Sequence, residues 1–405
     1  MVVSAPASIP VANRLKGFSY AIRNVVTEAK KAEARGQRVR YLNIGDPVAF
    51  GFQTPPHLIA AVERAIRDGA NGYTPAAGIW KVREAVANSY STAGAPIEPD
   101  RIILTSGTSE GIELVLSVLV NPGDEVLIPV PTYPLYTATL TKLGARSVYY
   151  HTDPHRGWMP DLDHIESQIG PTTRAIVVID PNNPTGAVYS TDSRRKLVEL
   201  ADAHNLVILA DEVYADLCYD QPVPPIAALN PDAPVISFSS CSKSYLAPGW
   251  RAGWLAVNGG ARLDAVLEAA HELADGRLCS TGPMQYATLA ALTADDKHKT
   301  TFVRALRERA EITTKRLNAI EGLSCVPPRA AFYAMPKVEL PPTRTDQDYV
   351  LGLLRETGLL CVYGSGFGTD PNDGYLRIVF LSSAPELEAI YDEIAEFTVR
   401  FRAKG

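Results

Sequence analysis

Ser240-Cys241-Ser242-Lys243-Ser244-Tyr245-Leu246-Ala247-Pro248-Gly249-Trp250-Arg251-Ala252-Gly253 is the stretch on which the reading of this chain turns. It follows Pro234-Val235-Ile236-Ser237-Phe238, a short apolar run bounded by turn formers, which predicts a buried strand. Lys243 therefore leaves the carboxyl end of a strand, where α/β folds place their ligands. A lysine carried into a pocket is costly unless paired or neutral, and a neutral amine is a nucleophile that condenses with aldehydes. Ser240 and Arg251 bracket it with a hydroxyl and a fixed cation, a pair that suits a phosphate dianion. On this segment alone, a surface lysine beside a turn reads equally well.

Upstream runs have the same form. Leu206 to Ala210 reads as a buried strand that ends in Asp211-Glu212-Val213-Tyr214. An anion in that setting needs a cationic partner, although Asp211 taken alone could also cap a helix. Arg174 to Asp180 is a nearly continuous apolar run, the pattern of a central parallel strand, and it ends in Pro181-Asn182-Asn183-Pro184-Thr185-Gly186. Asp124 to Pro129 is a strand followed by Pro131-Thr132-Tyr133-Pro134-Leu135-Tyr136. A flat aromatic such as Tyr133 at a strand end can stack on a ring, while Tyr136 is assigned to packing. Arg101 to Thr105 is a strand, Ser106 to Gly111 a small-residue turn, and Ile112 to Val120 a helix. Free N–H groups and the helix dipole there face an anion, or the turn simply caps the helix. Its spacing is neither that of a Walker loop nor that of a dinucleotide fingerprint.

In order and position these motifs resemble the class I and II aminotransferases. Ser240, Ser242, Lys243, Gly249, Arg251 and Gly253 fit that family's pyridoxal-phosphate lysine signature, and Asn183-Pro184-Thr185-Gly186 resembles its most recognisable loop. The resemblance implies an α/β fold of type I, with a mostly parallel sheet sandwiched by helices and a smaller α+β domain. It implies pyridoxal 5'-phosphate as cofactor, held through Lys243 as a Schiff base. Gly107, Thr108 and Ser109 match the phosphate turn, with Ser240, Ser242 and Arg251 beside it. Tyr133 matches the aromatic on the ring, Asp211 the partner of the ring nitrogen, and Asn183 and Tyr214 the donors to the ring oxygen. Gly45, Asn183 and Arg377 match the residues around the substrate carboxylate. Tyr73, in Asn71-Gly72-Tyr73-Thr74-Pro75, matches a tyrosine that reaches the neighbouring subunit's phosphate, which implies a homodimer.

The rest of the chain is read in the same way. Arg14 to Arg35 has helical periodicity, with Ala21, Ile22, Val25, Val26 and Ala29 on one face and Gly36 at its end. Val39 to Pro47 is a short strand closed by a turn, and Pro55 to Arg67 is a helix opened by proline. Arg277 could reach the mouth of the site or pair on the surface, and is assigned to surface pairing. A long charged helix, Phe302 to Glu321, leads into strands at Ala330 to Met335 and Tyr375 to Phe380. Arg377 on the latter is a rigid fork for a carboxylate. The expected division is an N-terminal segment to residue 55, a cofactor domain over 56–295 and a small domain over 296–405.

Length predicts two or three domains or subdomains, and 46% apolar with 21% charged residues is ordinary for a globular enzyme. A net charge of −6 without a basic run argues against a nucleic-acid binder. Five scattered cysteines point to free thiols in a reducing compartment, and neither a zinc pattern nor a secretory or membrane segment is seen, so the expected location is the cytoplasm. Within the family the chain is nearest to the alanine aminotransferase group. The marks are Tyr20-Ala21-Ile22-Arg23, Asn43-Ile44-Gly45-Asp46-Pro47, Arg277-Leu278-Cys279 and Tyr363-Gly364-Ser365-Gly366-Phe367-Gly368. Ala330 departs from the glycine usual before Ala-Phe-Tyr, and its Cβ is expected to narrow that turn beside the pocket. The implied reaction is amino transfer between alanine and 2-oxoglutarate, with aspartate or aromatic amino acids as the alternative. A lyase on the same cofactor, or a non-enzymatic cofactor-sensing regulator, is the remote one; the regulator would need a DNA-binding module, for which there is no room ahead of the first motif.

Overall fold

Apolar runs of four to seven residues bounded by Pro, Gly and Asn fix the centre of the molecule, a computed structural model that describes residues 9–15 and 21–403. Strands β1 (Ile102–Thr105), β2 (Glu125–Val130), β3 (Arg146–Asp153), β4 (Met159–Pro160), β5 (Thr173–Ile179), β6 (Val207–Asp211), β7 (Val235–Ser240) and β8 (Gly253–Val257) form one sheet among the described residues. Its order is β1-β8-β7-β6-β5-β2-β3-β4. The inner strands β3, β2, β5, β6 and β7 are parallel, and β8 runs against both its neighbours. The central strands lie under helices on both faces. Accordingly, β6 is buried at every position, and all of β5 is buried except Arg174. Two apolar clusters flank the sheet, one around Leu127, Ile176 and Ile208 and the other around Ile128, Val177 and Leu209, as the alternation of side chains along a strand requires.

A third cluster joins the two ends of the chain. Val25 and Ala29 of helix α1 (Ala21–Glu33) and Leu42 pack with residues from Phe302 to Phe397. The long helices α3 (Lys297–Asn318) and α4 (Ala384–Ala403) belong to this cluster, as does a three-stranded antiparallel sheet of β9 (Tyr333–Ala334), β11 (Leu376–Val379) and β10 (Val362–Tyr363), in that order. The first helix ends at Glu33, two residues before its periodicity predicts, and only Arg40–Tyr41 of the run Val39 to Pro47 enters a ladder, against Leu359–Leu360. Beyond Tyr41 the chain leaves the ladder to line a cavity. Tyr20, part of one sequence mark, and Met1 to Ser8 lie outside the described residues.

The helix after β1 starts earlier than its apolar pattern suggests. Helix α2 (Thr108–Leu119) takes Thr108 as its first residue, with Gly107 at φ +82° as the cap. The polar first turn hides this start from a reading based on hydrophobicity.

Candidate active site

The parallel strands deliver their carboxyl ends to one edge of the sheet, and the residues that follow them meet there. Asp211 ends β6, Asn183 follows β5, Ser240 ends β7 and Lys243 follows it, Tyr133 follows β2, and Thr108 follows β1. With Gly45, Asn43 and Asp46 from the N-terminal part and Tyr333 and Arg377 from β9 and β11, they line a cavity of about 450 Å³. That size suits a small cofactor with a small substrate.

Lys243 is the cavity's amine. Its Nζ donates to the Gly45 carbonyl at 2.7 Å and lies 5.7 Å from the Phe332 ring centre. Burial lowers its pKa to about 8; the charge of Asp46 opposes this, and the cations Arg377 and Arg251 reinforce it. An amine so placed is part neutral at physiological pH and able to attack a carbonyl.

Asp211 is the cavity's buried anion. Burial raises its pKa to about 6, against the backbone N–H of Val213, the Tyr136 hydroxyl and Lys243, which all favour the charged form. Tyr136 Oη donates to its Oδ2 at 3.2 Å, which corrects the assignment of Tyr136 to packing alone. Helix Leu135–Leu143 begins directly after the β2 turn, so its first turn faces the strand ends. Oδ1 is buried with no hydrogen-bond partner among the described residues.

Arg251 closes the phosphate corner. It sits at φ +54°, and its Nη1 donates to the Pro248 carbonyl at 3.0 Å. A Cβ on Gly107 would overlap its guanidinium, and a Cβ on Gly253 would come within 2.8 Å of the Gly107 backbone. The two glycines therefore let the arginine, the start of α2 and strand β8 close on one point. Thr108 Oγ1 is buried there without a partner among the described residues. Ser109, Ser240 and Ser242 line the same corner, and Ser240 Oγ accepts from the Ser242 N–H at 3.2 Å.

Arg377 lines the same cavity. Nη1 donates to Asn183 Oδ1 at 3.1 Å and Nη2 to the Asn43 carbonyl at 2.7 Å. The guanidinium lies against the rings of Tyr333 and Phe367, at 4.9 and 4.8 Å from their centres. Tyr214 Oη is 2.8 Å from Tyr333 Oη.

Pyridoxal phosphate presents a phosphate, a ring nitrogen that is cationic when protonated, and an aldehyde. The unpartnered Thr108 hydroxyl at a helix N-terminus with Arg251 suits the first, the unpartnered Asp211 oxygen suits the second, and Lys243 suits the third. These residues fit the group.

Tyr73 lies outside the cavity and is 84% exposed. Arg277 pairs with Glu110, Nε at 3.3 Å, and is tied to the sheet as well, Nη2 donating to the Leu104 carbonyl at 2.6 Å. Ala330 is buried against Gly186 and is not among the lining residues, so its Cβ does not narrow the cavity directly. Asn43, Tyr136 and Tyr333 carry contacts that no local motif announced.

The family pattern described as "Aminotransferase class I and II" matches residues 38–394. The alanine aminotransferase of Mycobacterium tuberculosis is 38% identical over 398 residues, which cover 96% of this chain and 92% of that protein. The glutamate-pyruvate aminotransferase AlaA of Escherichia coli is 37% identical over 96% of this chain and 98% of its own. Among solved structures, an alanine aminotransferase from Pyrococcus furiosus superposes with a TM-score of 0.94 at 37% identity, covering 96% of this chain and all of that one.

Proposed function

The chain belongs to the class I and II aminotransferases, and from that premise we propose that it moves the amino group of L-alanine to 2-oxoglutarate, giving pyruvate and glutamate. The observation that carries the reading is the meeting of Lys243, Asp211 and Arg377 in one cavity. The likeness to proteins named for alanine and for glutamate and pyruvate supports the substrate pair.

Bound pyridoxal phosphate supplies an aldehyde that joins the amino nitrogen and a cationic ring that takes up electrons when the substrate Cα–H bond breaks. Thr108, Ser109, Ser240, Ser242 and Arg251 hold the phosphate, with Gly107 giving the backbone its approach. Tyr133 packs on the ring. Asp211 keeps a proton on the ring nitrogen, because its buried charge is held by no cation at hydrogen-bond distance and its Oδ1 has no hydrogen-bond partner among the described residues. Tyr214 and Asn183 donate to the ring oxygen. Arg377 binds the substrate α-carboxylate, Asn183 assists it, and Gly45 leaves room beside it. Lys243 would take the substrate Cα proton as a neutral base and, as the resulting ammonium, would deliver it to the carbon of the cofactor's aldehyde.

The proposed working unit is a homodimer in the cytoplasm, in which Tyr73 reaches the neighbouring active site. Its exposure on a loop outside its own cavity supports that role. Among the described residues, no helix is long and apolar enough to cross a membrane. The proposed division keeps 56–295 as the cofactor domain and joins 1–55 to 296–405. The apolar cluster shared by Val25, Leu42 and the C-terminal third supports it.

The test is a titration of the cofactor-loaded protein with L-alanine and no oxo acid, followed by absorbance. Loss of the long-wavelength band with one pyruvate released per site is the expected result. A band that ignores alanine and responds to aspartate or tyrosine would move the substrate, and a protein that never develops a band would refute the class. For Arg377→Lys, the alanine concentration for half-saturation should rise on the order of 10- to 100-fold, because an ammonium cannot present a bidentate fork to a carboxylate. Steady-state kinetics with alanine as the varied substrate checks it.

A further inference from the structure

Tyr333 is mounted with unusual care for a residue to which the sequence reading gave no role. Two residues before it, Ala331 sits at φ +58°, a left-handed conformation that a Cβ disfavours and that persists only where the surroundings enforce it. Here the Ala331 N–H donates to the Leu217 carbonyl at 3.1 Å, the Ala330 N–H donates to the Gly186 carbonyl at 3.1 Å, and Tyr219 Oη donates to the Ala331 carbonyl at 2.8 Å. Tyr333 then pairs with Val379 in the strand that carries Arg377.

The side chain so delivered is buried and touches three groups of the site. Its hydroxyl is 2.8 Å from the Tyr214 hydroxyl, and its ring centre is 4.9 Å from the Arg377 guanidinium carbon. A Cβ at position 45 would overlap that same hydroxyl, so Gly45 makes the room that Tyr333 fills. Two hydroxyls at this distance share one hydrogen bond, and the geometry lets either donate it. Tyr214 spends its one proton when it donates to the ring oxygen, as the function assigned above requires, so Tyr333 then donates to Tyr214. A phenol that accepts a hydrogen bond is itself a stronger donor.

We propose that Tyr333 is a positioning residue for the amino transfer: its hydroxyl orients and polarises the Tyr214 phenol, and its ring face holds the Arg377 fork. The proposal rests on the function assigned above and adds the coupling between the carboxylate wall and the ring-oxygen donor.

The experiment compares wild type, Tyr333→Phe and Tyr333→Leu after loading with pyridoxal phosphate. It reads the pH midpoint of the long-wavelength band, the half-saturating alanine concentration and the thermal midpoint. Donation by Tyr214 stabilises an anionic ring oxygen; weaker donation tightens the hold on the neighbouring proton. The Phe variant should therefore show a midpoint raised by about half a unit to one unit, with alanine half-saturation within about twofold of wild type. The Leu variant should also raise half-saturation about tenfold, since the guanidinium loses a packed face. A Phe variant whose midpoint matches wild type overturns the proposal, whatever its thermal stability. Wild type that forms no band overturns the assigned function instead, and with it this inference.

Discussion

Replacing Lys243 with alanine lowers turnover by about five orders of magnitude or more. Proton transfer by a positioned base contributes on the order of 10²–10⁴, and loss of the covalent anchor adds to it. The variant should fold, because the alanine leaves its space to a cavity that already holds about 450 Å³. It should still bind pyridoxal phosphate, since Arg251, Thr108 and Asp211 remain. A small primary amine added to the solution should restore part of the rate, because the missing group is a neutral amine and not a fold. A second readout uses the wild-type protein freed of cofactor. Its Lys243 pKa is lowered to about 8, chiefly by burial. The nucleophile is the neutral form, so the rate of capture of pyridoxal phosphate should climb about tenfold per pH unit below 8 and level off above it. Stopped-flow absorbance from pH 6 to 9.5 checks this. A rate that is flat across that range would mean that a group other than Lys243 limits capture.

Most of this site was legible because its residues come directly after strands. Each of β5, β6 and β7 is an apolar run visible in the sequence, and a parallel sheet gathers the residues after such runs at one edge. Asn183, Asp211 and Lys243 needed no knowledge of tertiary contact to be brought together. The residues that were missed depend on pairings over long sequence distance. Tyr214 meets Tyr333 across 119 positions, and Arg377 meets the Asn43 carbonyl across 334. Asn43 acts through its backbone, where side-chain identity gives no signal. Tyr136 was assigned to packing, and its ring is indeed wholly buried, yet its hydroxyl reaches Asp211. Periodicity reports which face a ring buries, not where its polar tip ends.

Asp211→Asn should lower turnover by about three orders of magnitude and, in the cofactor-free protein, raise stability. Both effects arise from one buried charge. The rate falls because Asn presents no negative charge to hold a proton on a ring nitrogen; about 4 kcal/mol of transition-state stabilisation is at stake, the scale of a preorganised charge in a buried site. Stability rises because that charge is costly without a partner. Asp211 is buried with Oδ1 unpartnered among the described residues, and burial raises its pKa from 3.8 to about 6. The native state therefore binds a proton more tightly than the unfolded chain. The resulting stabilisation is present in full below about pH 4 and is lost as pH rises through 6, a difference of about 3 kcal/mol. Thermal melts of the cofactor-free pair should nearly coincide at pH 4.5 and separate above pH 7, with the Asn variant higher. Adding pyridoxal phosphate should reverse the order at pH 8, because the carboxylate then gains a cationic partner and the amide does not. If the two cofactor-free proteins melt together at every pH, the carboxylate carries no desolvation cost. If the cofactor stabilises both equally, Asp211 does not face the ring nitrogen.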